Sequence, residues 1–451
     1  MIILKGVKFM DKGSFQGGIH PAGNKRLTEA LSIQQGISPK IVRVPMHANP
    51  RFSADPIVKK GDNVLLGQKI ADNPHPMGLP VHSPVSGKVI GIEDVKLASG
   101  SLVKTIVIES DGLDKPSENV KPIENWEDMT KEEFVAVIKE AGISGMGGAE
   151  FPTHCKFVIP EDITIDTLLL NGGECEPYLT SDHRVMLERA DSVIRGARIV
   201  MKLAGIPKCF IGIESNKEDA AEVITSKLKH DDNIEVKIIE TKYPQGSEKH
   251  LIKSVLGRSV PPRMLPLNVG VVVMNVSTAA SIADRFDKGL PLISRVVTVT
   301  GPAIMRPSNI MAKIGTSVRE LIEQCEGFSK TPCKVIIGGP MMGFASSSLD
   351  IPIGKGSSGI IAFGCDDIEA KDPMPCIRCG RCVMHCPMRL EPSTLNQLCE
   401  AGKIEKAKKY NVIDCIECGV CSYVCPSKRH LVQSIKTVKY QIAQSRIKRR
   451  D

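Results

Sequence analysis

The sequence predicts a multidomain chain of mixed α/β and α+β class, and three observations carry that prediction. Residues 163–275 alternate apolar runs of strand length with helix-periodic segments, the layout of a mainly parallel sheet covered by helices. Residues 58–89 hold two copies of a strand, Gly turn, strand pattern, which suits a small β-barrel or sandwich. Residues 376–426 hold eight cysteines in two copies of C-x2-C-x2-C-x3-C-P. At 451 residues the chain has room for three or four such units.

Residues 1–55 are rich in Gly and Pro and read as loop. Gly-Gly-Ile-His-Pro (17–21) and Gly23-Asn24-Lys25 stand out, but His20 and His47 have no partner at metal-ligand spacing. Val58–Gln68 and Ser83–Val89 supply the repeated strand pattern. The pair resembles the halves of a biotinyl/lipoyl-type barrel. Its tip, Asp72–Gly78, lacks the Lys that such carriers modify, so a structural barrel is expected. A polar linker (112–128) leads to a helix opened by the capping box Thr130–Glu133 and stopped at Gly142.

The stretch Gly145-Met-Gly147-Gly148-Ala-Glu150-Phe151-Pro-Thr-His-Cys-Lys156 follows that helix. It fails the dinucleotide fingerprint, because it follows a helix and Glu150 replaces its last Gly. Its glycines still let backbone N–H groups approach a phosphate or a flat ring closely. Strands are expected at Ile163–Leu170, Cys209–Ile213, Ile234–Ile239 and Val269–Val273, with helices at Arg184–Ala204, Lys217–Leu228 and Ser247–Val255. Three polar loops, Asn171–Tyr178, Tyr243–Lys249 and Asn275–Thr278, then meet at the carboxyl edge of the sheet, where ligands bind such folds. Residues 293–343 read as a compact α+β unit: strand Arg295–Thr300, a helix capped by Ser317 and Glu320, and strand Cys333–Ile337.

The cysteine run is the most specific signal. Three closely spaced thiolates wrap one face of a [4Fe–4S] cubane and the fourth ligates the neighbouring cluster. Cys376, Cys379, Cys382 and Cys425 are assigned to one cluster, and Cys415, Cys418, Cys421 and Cys386 to the other. A zinc site has no use for a third Cys at two-residue spacing. The remaining seven of the fifteen cysteines (Cys155, Cys175, Cys209, Cys325, Cys333, Cys365, Cys399) are scattered and are expected as reduced, packed thiols. Beyond the clusters, Leu431, Ile435, Val438 and Ile442 fall on one helical face, with a basic end from Lys436 to Arg450. The reading favours a helix packed on the cluster unit over one lying on a membrane surface.

The opening residues lack the apolar core of a secretory signal, and no run reaches membrane-spanning length. The net charge of +8 gathers at the C-terminus without interleaved aromatics, which argues against nucleic acid.

Phe15-Gln-Gly-Gly-Ile-His-Pro21, the barrel, the Gly145–Lys156 loop, Asn171–Pro177, the α+β unit as a β-grasp domain, and Cys415-Ile-Glu-Cys-Gly-Val-Cys-Ser-Tyr-Val-Cys-Pro426 together resemble the C subunits of Rnf complexes. Those membrane assemblies exchange electrons between ferredoxin and NAD with coupled ion pumping. The resemblance implies a peripheral subunit at the cytoplasmic face of the membrane, part of a ferredoxin:NAD oxidoreductase and translocase. Its implied partners are a ferredoxin-like cluster subunit and membrane flavin subunits. It implies five parts: an N-terminal segment and barrel-sandwich (1–111), a Rossmann-like FMN/NADH domain (112–290), a soluble-ligand-binding β-grasp domain (291–362), a two-cluster ferredoxin-like helical domain (363–435) and a basic amphipathic helix (436–451).

The central part also resembles the flavin subunit of respiratory NADH dehydrogenase, which implies FMN on the Gly loop and NAD(H) stacked over it. Gly145, Gly147, Lys156, Asn171, Glu174, Gly246, Asn275 and Thr278 match flavin contacts of that family, with Gly148 and Glu248 as further cofactor-binding positions. Glu176 matches its nucleotide-contacting carboxylate, and Phe151 a stacking residue. No side chain is implied as a nucleophile or obligatory acid. Glu150, Gly173 and Ser247 depart from the family's Gly or Ala, Asp and Glu. Two alternatives stand beside this expectation: a soluble reductase of the cobalamin-reductase type, and a cluster-bearing connector whose flavin site has decayed, for which Glu150 speaks.

Overall fold

A computed structural model describes residues 13–46, 52–369 and 371–447. His47, Lys448, Arg449 and Arg450 lie outside the described residues, as does the side chain of Arg446.

The N-terminal segment is tied down by long-range contacts. The backbone of Ile19 exchanges both hydrogen bonds with Tyr243. Strand β1 (Ile33–Gln35) then pairs in parallel with residues 309–311 of a distant sheet. The barrel follows. Strands β2 (Ile41–Pro45), β4 (Asn63–Val64), β7 (Gly87–Lys96) and β8 (Leu102–Ser110) form one sheet in the order β2-β8-β7-β4. Strands β3 (Asp55–Pro56), β5 (Lys69–Asp72) and β6 (Val81–His82) form the other. Val42, Val44, Ile70, Val89, Ile106 and Ile108 fill the space between them. The hairpin tip is docked: the Pro76 carbonyl lies 2.7 Å from His154 Nε2 and the His75 carbonyl accepts from Lys139. A structural barrel, with no swinging arm, is what the sequence predicted.

Helix α1 (Lys131–Glu140) begins with the predicted capping box, Thr130 and Glu133 bonding each other's backbone N–H. Strands β9 (Thr167–Gly172), β10 (Lys208–Glu214), β11 (Ile234–Ile239) and β12 (Val271–Asn275) make an all-parallel sheet in the order β11-β10-β9-β12. Its strands read as continuous apolar runs because both faces are covered. On them lie α2 (Ser181–Glu188), α3 (Ala190–Ala204), α4 (Glu218–Lys227), α5 (Glu248–Leu256) and α6 (Val276–Lys288). The single helix expected over 184–204 is two, parted at Arg189, whose φ of −125° is not helical. The order switches direction between β9 and β12, so the crevice opens where their loops part.

Strands β13 (Ser294–Thr300), β14 (Ser308–Lys313), β15 (Pro332–Ile337), β16 (Phe344–Ser346) and β17 (Gly359–Gly364) form a six-stranded sheet with β1, ordered β1-β14-β13-β17-β15-β16. Helix α7 (Val318–Gln324), capped by Ser317 and Glu320 as predicted, closes its core. One expectation fails here. Cys333 and Cys365 were expected as separate thiols, yet they form a disulfide with Cα atoms 5.0 Å apart. The antiparallel register of β15 with β17 sets Pro332 opposite Gly364, which brings the two side by side.

The cysteine segment folds as a duplicated unit. Helices α8 (Arg381–Met384), α9 (Pro392–Glu400), α10 (Ile404–Lys409), α11 (Val420–Tyr423) and α12 (Leu431–Ile447) follow in order. Three left-handed residues of the first half recur 39 residues on. Arg378 (φ 55°) matches Glu417 (φ 59°), Gly380 (φ 73°) matches Gly419 (φ 77°), and Arg389 (φ 56°) matches Lys428 (φ 51°). By the same offset α12 begins as the counterpart of α9. It starts at Leu431, the first of the four apolar residues expected on one helical face. Leu431, Ile435, Val438 and Ile442 are all buried, most of them against Leu395 and Cys399 of α9. Such burial stabilises by about 1.5–3 kcal/mol per side chain. Among the described residues no helix is long and apolar enough to cross a membrane.

Candidate functional site

The Gly-rich loop sits above β9 and β12. Gly145 N–H donates to the Phe151 carbonyl (2.8 Å) and closes it, and Met146 N–H donates to Thr278 Oγ1 (3.0 Å). Asn275 caps α6, its Oδ1 accepting from the N–H groups of Ser277 (2.8 Å) and Thr278 (3.3 Å). Its Nδ2 donates to Asp182 Oδ2 at 2.7 Å. A Cβ on Gly147 would lie 3.7 Å from Asn275, an ordinary contact. Gly148 has φ +100° with open space where a Cβ would stand, so there backbone conformation demands glycine.

The other two loops touch. Asn171 Nδ2 donates to the Gly246 carbonyl (2.8 Å), while its Oδ1 accepts from Gly173 N–H (3.0 Å). A Cβ on Gly246 would stand 2.3 Å from the Gly173 carbonyl oxygen, so this glycine is required by close approach. Lys156 Nζ pairs with Glu248 Oε1 (2.5 Å), donates to the Val273 carbonyl (2.8 Å) and lies 5.9 Å from the ring centre of exposed Phe151. Gly145, Gly147, Gly148, Phe151, Lys156, Asn171, Gly246, Glu248, Asn275 and Thr278 thus gather at the carboxyl edge of the parallel sheet.

Two expected cleft residues are turned elsewhere. Glu174 accepts from Ser181 Oγ (3.0 Å) and from the N–H groups of Asp182 (2.9 Å) and His183 (3.3 Å), so it caps α2. Glu176 accepts from the N–H groups of Met341 and Met342, both at 3.0 Å, in the turn between β15 and β16. Burial pushes its carboxyl up to about 7, against those two donors. Glu174 is claimed by the start of the helix that follows its own loop, and Glu176 by a turn that the sequence reading did not bring near it.

Residues that sequence reasoning missed support the same loops. Buried Lys25 donates to the carbonyls of Glu174 and Glu176, both at 2.9 Å, and of Leu179. Buried Asp182 also accepts from Ser277 Oγ (2.5 Å), and burial raises its carboxyl to about 6. Glu214 and Lys217, each 1% exposed, pair at 2.8 Å beneath them. No spacing motif marks any of these four.

Cys386, Cys415, Cys418 and Cys421 line one pocket with Leu395, Val420 and Ile435. Burial pushes the Cys418 thiol up to about 12 and raises the other three. Four thiolates there need a cationic partner, and the irons of a cluster supply it, so the donor set fits. In the other quartet Cys382 and Cys425 pack with Cys421 and Leu431, and Cys379 is exposed. Tyr243, 1% exposed, donates from its hydroxyl to the Cys418 carbonyl at 2.8 Å. Ile19 and Val420 pack beside it, and His250 Nε2 lies 3.1 Å from the Pro387 carbonyl. The loop that lines the cleft therefore also walls the second quartet.

Comparison with known proteins agrees along the chain. Residues 13–113 match the RnfC barrel sandwich hybrid domain, 138–284 the Nuo51 FMN-binding domain, 296–345 the SLBB domain and 369–426 the 4Fe-4S dicluster domain. The C subunit of the Na(+)-translocating ferredoxin:NAD(+) oxidoreductase complex of Acetobacterium woodii is 46% identical over 97% of this chain and 98% of its own length. Its proton-translocating counterpart from Clostridium ljungdahlii is 45% identical over 94% of this chain and 93% of its own. The C subunit of the ion-translocating oxidoreductase complex of Rhodobacter capsulatus is 41% identical over 96% and 83%. With this identity over nearly full length, the chain belongs to the family of Rnf complex C subunits.

Proposed function

We propose that this chain is the peripheral electron-transfer subunit of an Rnf-type ferredoxin:NAD oxidoreductase, passing electrons between NAD(H), FMN and two [4Fe–4S] clusters. The observation that carries the reading is the shared wall. The loop after β11 meets the Gly-rich cleft through Gly246 and Glu248, and meets a ligand of the second quartet through Tyr243.

Bound FMN supplies the exchange between the two-electron chemistry of a nicotinamide and the one-electron chemistry of clusters. The chain's own residues hold and orient. Gly145, Gly147 and Gly148 bring backbone to close range of a flat, anionic ligand. Lys156, steadied by Glu248 and the Val273 carbonyl, sets a cation at the cleft for a phosphate or an electron-rich ring edge. Exposed Phe151 offers a stacking face for the nicotinamide. Ile19, Tyr243 and Met341 keep water from the second quartet, and burial of this kind is one of the determinants of a cluster's potential.

The first quartet is the outlet. Exposed Ile377, Met374, Met384 and Tyr423 surround it, with Arg378 and Arg381 in the same segment. An apolar patch with cations suits an acidic, cluster-bearing partner subunit. Attachment is peripheral, at the cytoplasmic face, and the ion path belongs to the membrane partners. The division at 111, 290, 362 and 435 follows the same reading. Flavin binding by the cluster-reconstituted chain, followed anaerobically by absorbance, tests it. One FMN per chain, bleached by NADH, is expected. Failure to take up FMN would overturn it.

A further inference from the structure

Glu150, the residue that departs from the flavin-domain pattern, does not obstruct the cleft. It has a left-handed φ of +50°, and its Oε1 accepts from Gly356 N–H at 2.5 Å. Gly356 lies between β16 and β17 of the β-grasp unit. Two buried cations of that unit reach the same loop. Lys355 Nζ donates to the Gly142 carbonyl at 2.7 Å. Arg295, 2% exposed, donates from Nη1 to the Lys355 carbonyl (2.6 Å) and to the Met146 carbonyl (3.3 Å). The β-grasp unit thus holds the helix end that leads into the Gly-rich loop, the loop itself at Met146, and Glu150.

The three charges compensate one another. Burial raises the Glu150 carboxyl while Lys355 and Arg295 pull it back, and burial lowers the Lys355 ammonium to about 8 while Glu150 pulls it back. The hold also has a direction. C=O and N–H point oppositely across a trans peptide. Arg295 on the Met146 carbonyl therefore turns the Gly147 N–H away from the β-grasp unit. Asp182, which Arg295 also faces, steadies Asn275 and Ser277 on the opposite wall.

We propose that Glu150, Arg295 and Lys355 are positioning residues for the flavin, a buried clamp by which the β-grasp unit fixes the Gly145–Gly148 loop in its ligand-ready form. The inference rests on the proposed FMN site. It gives the β-grasp unit a task that needs no ligand of its own, and it makes Glu150 part of a working site.

The test is a mutant cycle on the full chain with reconstituted clusters. A Cβ on Gly356 would stand 2.5 Å from Glu150 Cγ, so Gly356→Ala dislodges Glu150 from the other side. Glu150→Ala and Gly356→Ala are each expected to weaken FMN binding, read by quenching of flavin fluorescence, about tenfold or more, the scale of a lost charge-assisted bond. The double variant should be no weaker than Glu150→Ala alone, because the clash and the bond involve the same side chain. Glu150→Gln keeps the acceptor for Gly356 N–H but loses the charge that balances Lys355 and Arg295, so its affinity should fall between wild type and Glu150→Ala. Iron content should be unchanged throughout; a merely structural defect would lower it together with flavin affinity. Wild-type affinity in both single variants, additive losses in the double, or a Gln variant as weak as the Ala variant would overturn the clamp. A wild-type chain that takes no FMN would overturn the functional reading and the clamp with it.

Discussion

Gly246→Ala is the most informative single change in the cleft. The new Cβ would stand 2.3 Å from the Gly173 carbonyl oxygen, well inside the roughly 3.0 Å that real Cβ atoms keep. The atom it meets is backbone, so no side chain can swing away. Either the two loops part or strain remains. Overpacking of this kind costs about 1–3 kcal/mol. Parting also strains the 2.8 Å bond from Asn171 to the Gly246 carbonyl, worth about 0.5–1.5 kcal/mol. Together about 2–4 kcal/mol separates the wild-type loop geometry from what the variant can adopt. If FMN needs that geometry, the variant must supply the difference on binding, and affinity falls at least about 30-fold. Fluorescence titration of FMN into the cluster-reconstituted chain measures it, with iron content as the check on the rest of the fold. Affinity within about threefold of wild type would mean that these loops do not form the flavin site.

Three other outcomes follow from the same structure. Glu176 holds its proton up to about pH 7 when folded, against an ordinary 4.5, so the folded chain binds more protons in that window and stability falls as pH rises through it. The contribution is on the order of 3 kcal/mol. The thermal midpoint of Glu176→Gln should therefore gain on wild type between pH 5 and 7.5, and parallel curves would contradict the assignment. Cys418→Ser should remove the EPR signal of the buried cluster and stop electrons passing from flavin, whereas Cys379→Ser should leave flavin-to-cluster transfer intact and block only exit to an external acceptor. Breaking the Cys333–Cys365 link by Cys333→Ser frees a loop of 32 residues. By loop entropy that costs about 3–4 kcal/mol, visible as a lowered melting point under non-reducing conditions and absent under reduction.

Much of the layout was legible because it is written in local pattern. The Thr130 and Ser317 capping boxes and the 39-residue cysteine repeat emerge where expected, and the four parallel strands do so with the first beginning at Thr167 and the last at Val271. The illegible parts depend on partners far along the chain. The 13–35 segment reads as loop because its order comes from Tyr243, from the loop after β9 and from β14. The cleft shows the same split. Asn171, Gly246, Asn275 and Thr278 could be placed from strand ends, since sheet topology alone gathers them. Which way a carboxylate turns is a tertiary matter, so Glu174 and Glu176 were expected in the cleft and instead serve α2 and the turn holding Met341. Glu150 was visible only as a departure, and its meaning required Lys355 and Arg295 beside it.

We propose that the flavin site and the clusters form one wire, in contact through Tyr243 and Cys418. Anaerobic rapid-freeze EPR on the cluster-reconstituted chain tests it most directly, with NADH added in the presence and absence of FMN. A reduced-cluster signal is expected only with FMN, following flavin bleaching. Cluster reduction by NADH at the same rate without FMN, or bleached flavin beside clusters that stay oxidised but accept electrons from dithionite, would contradict it.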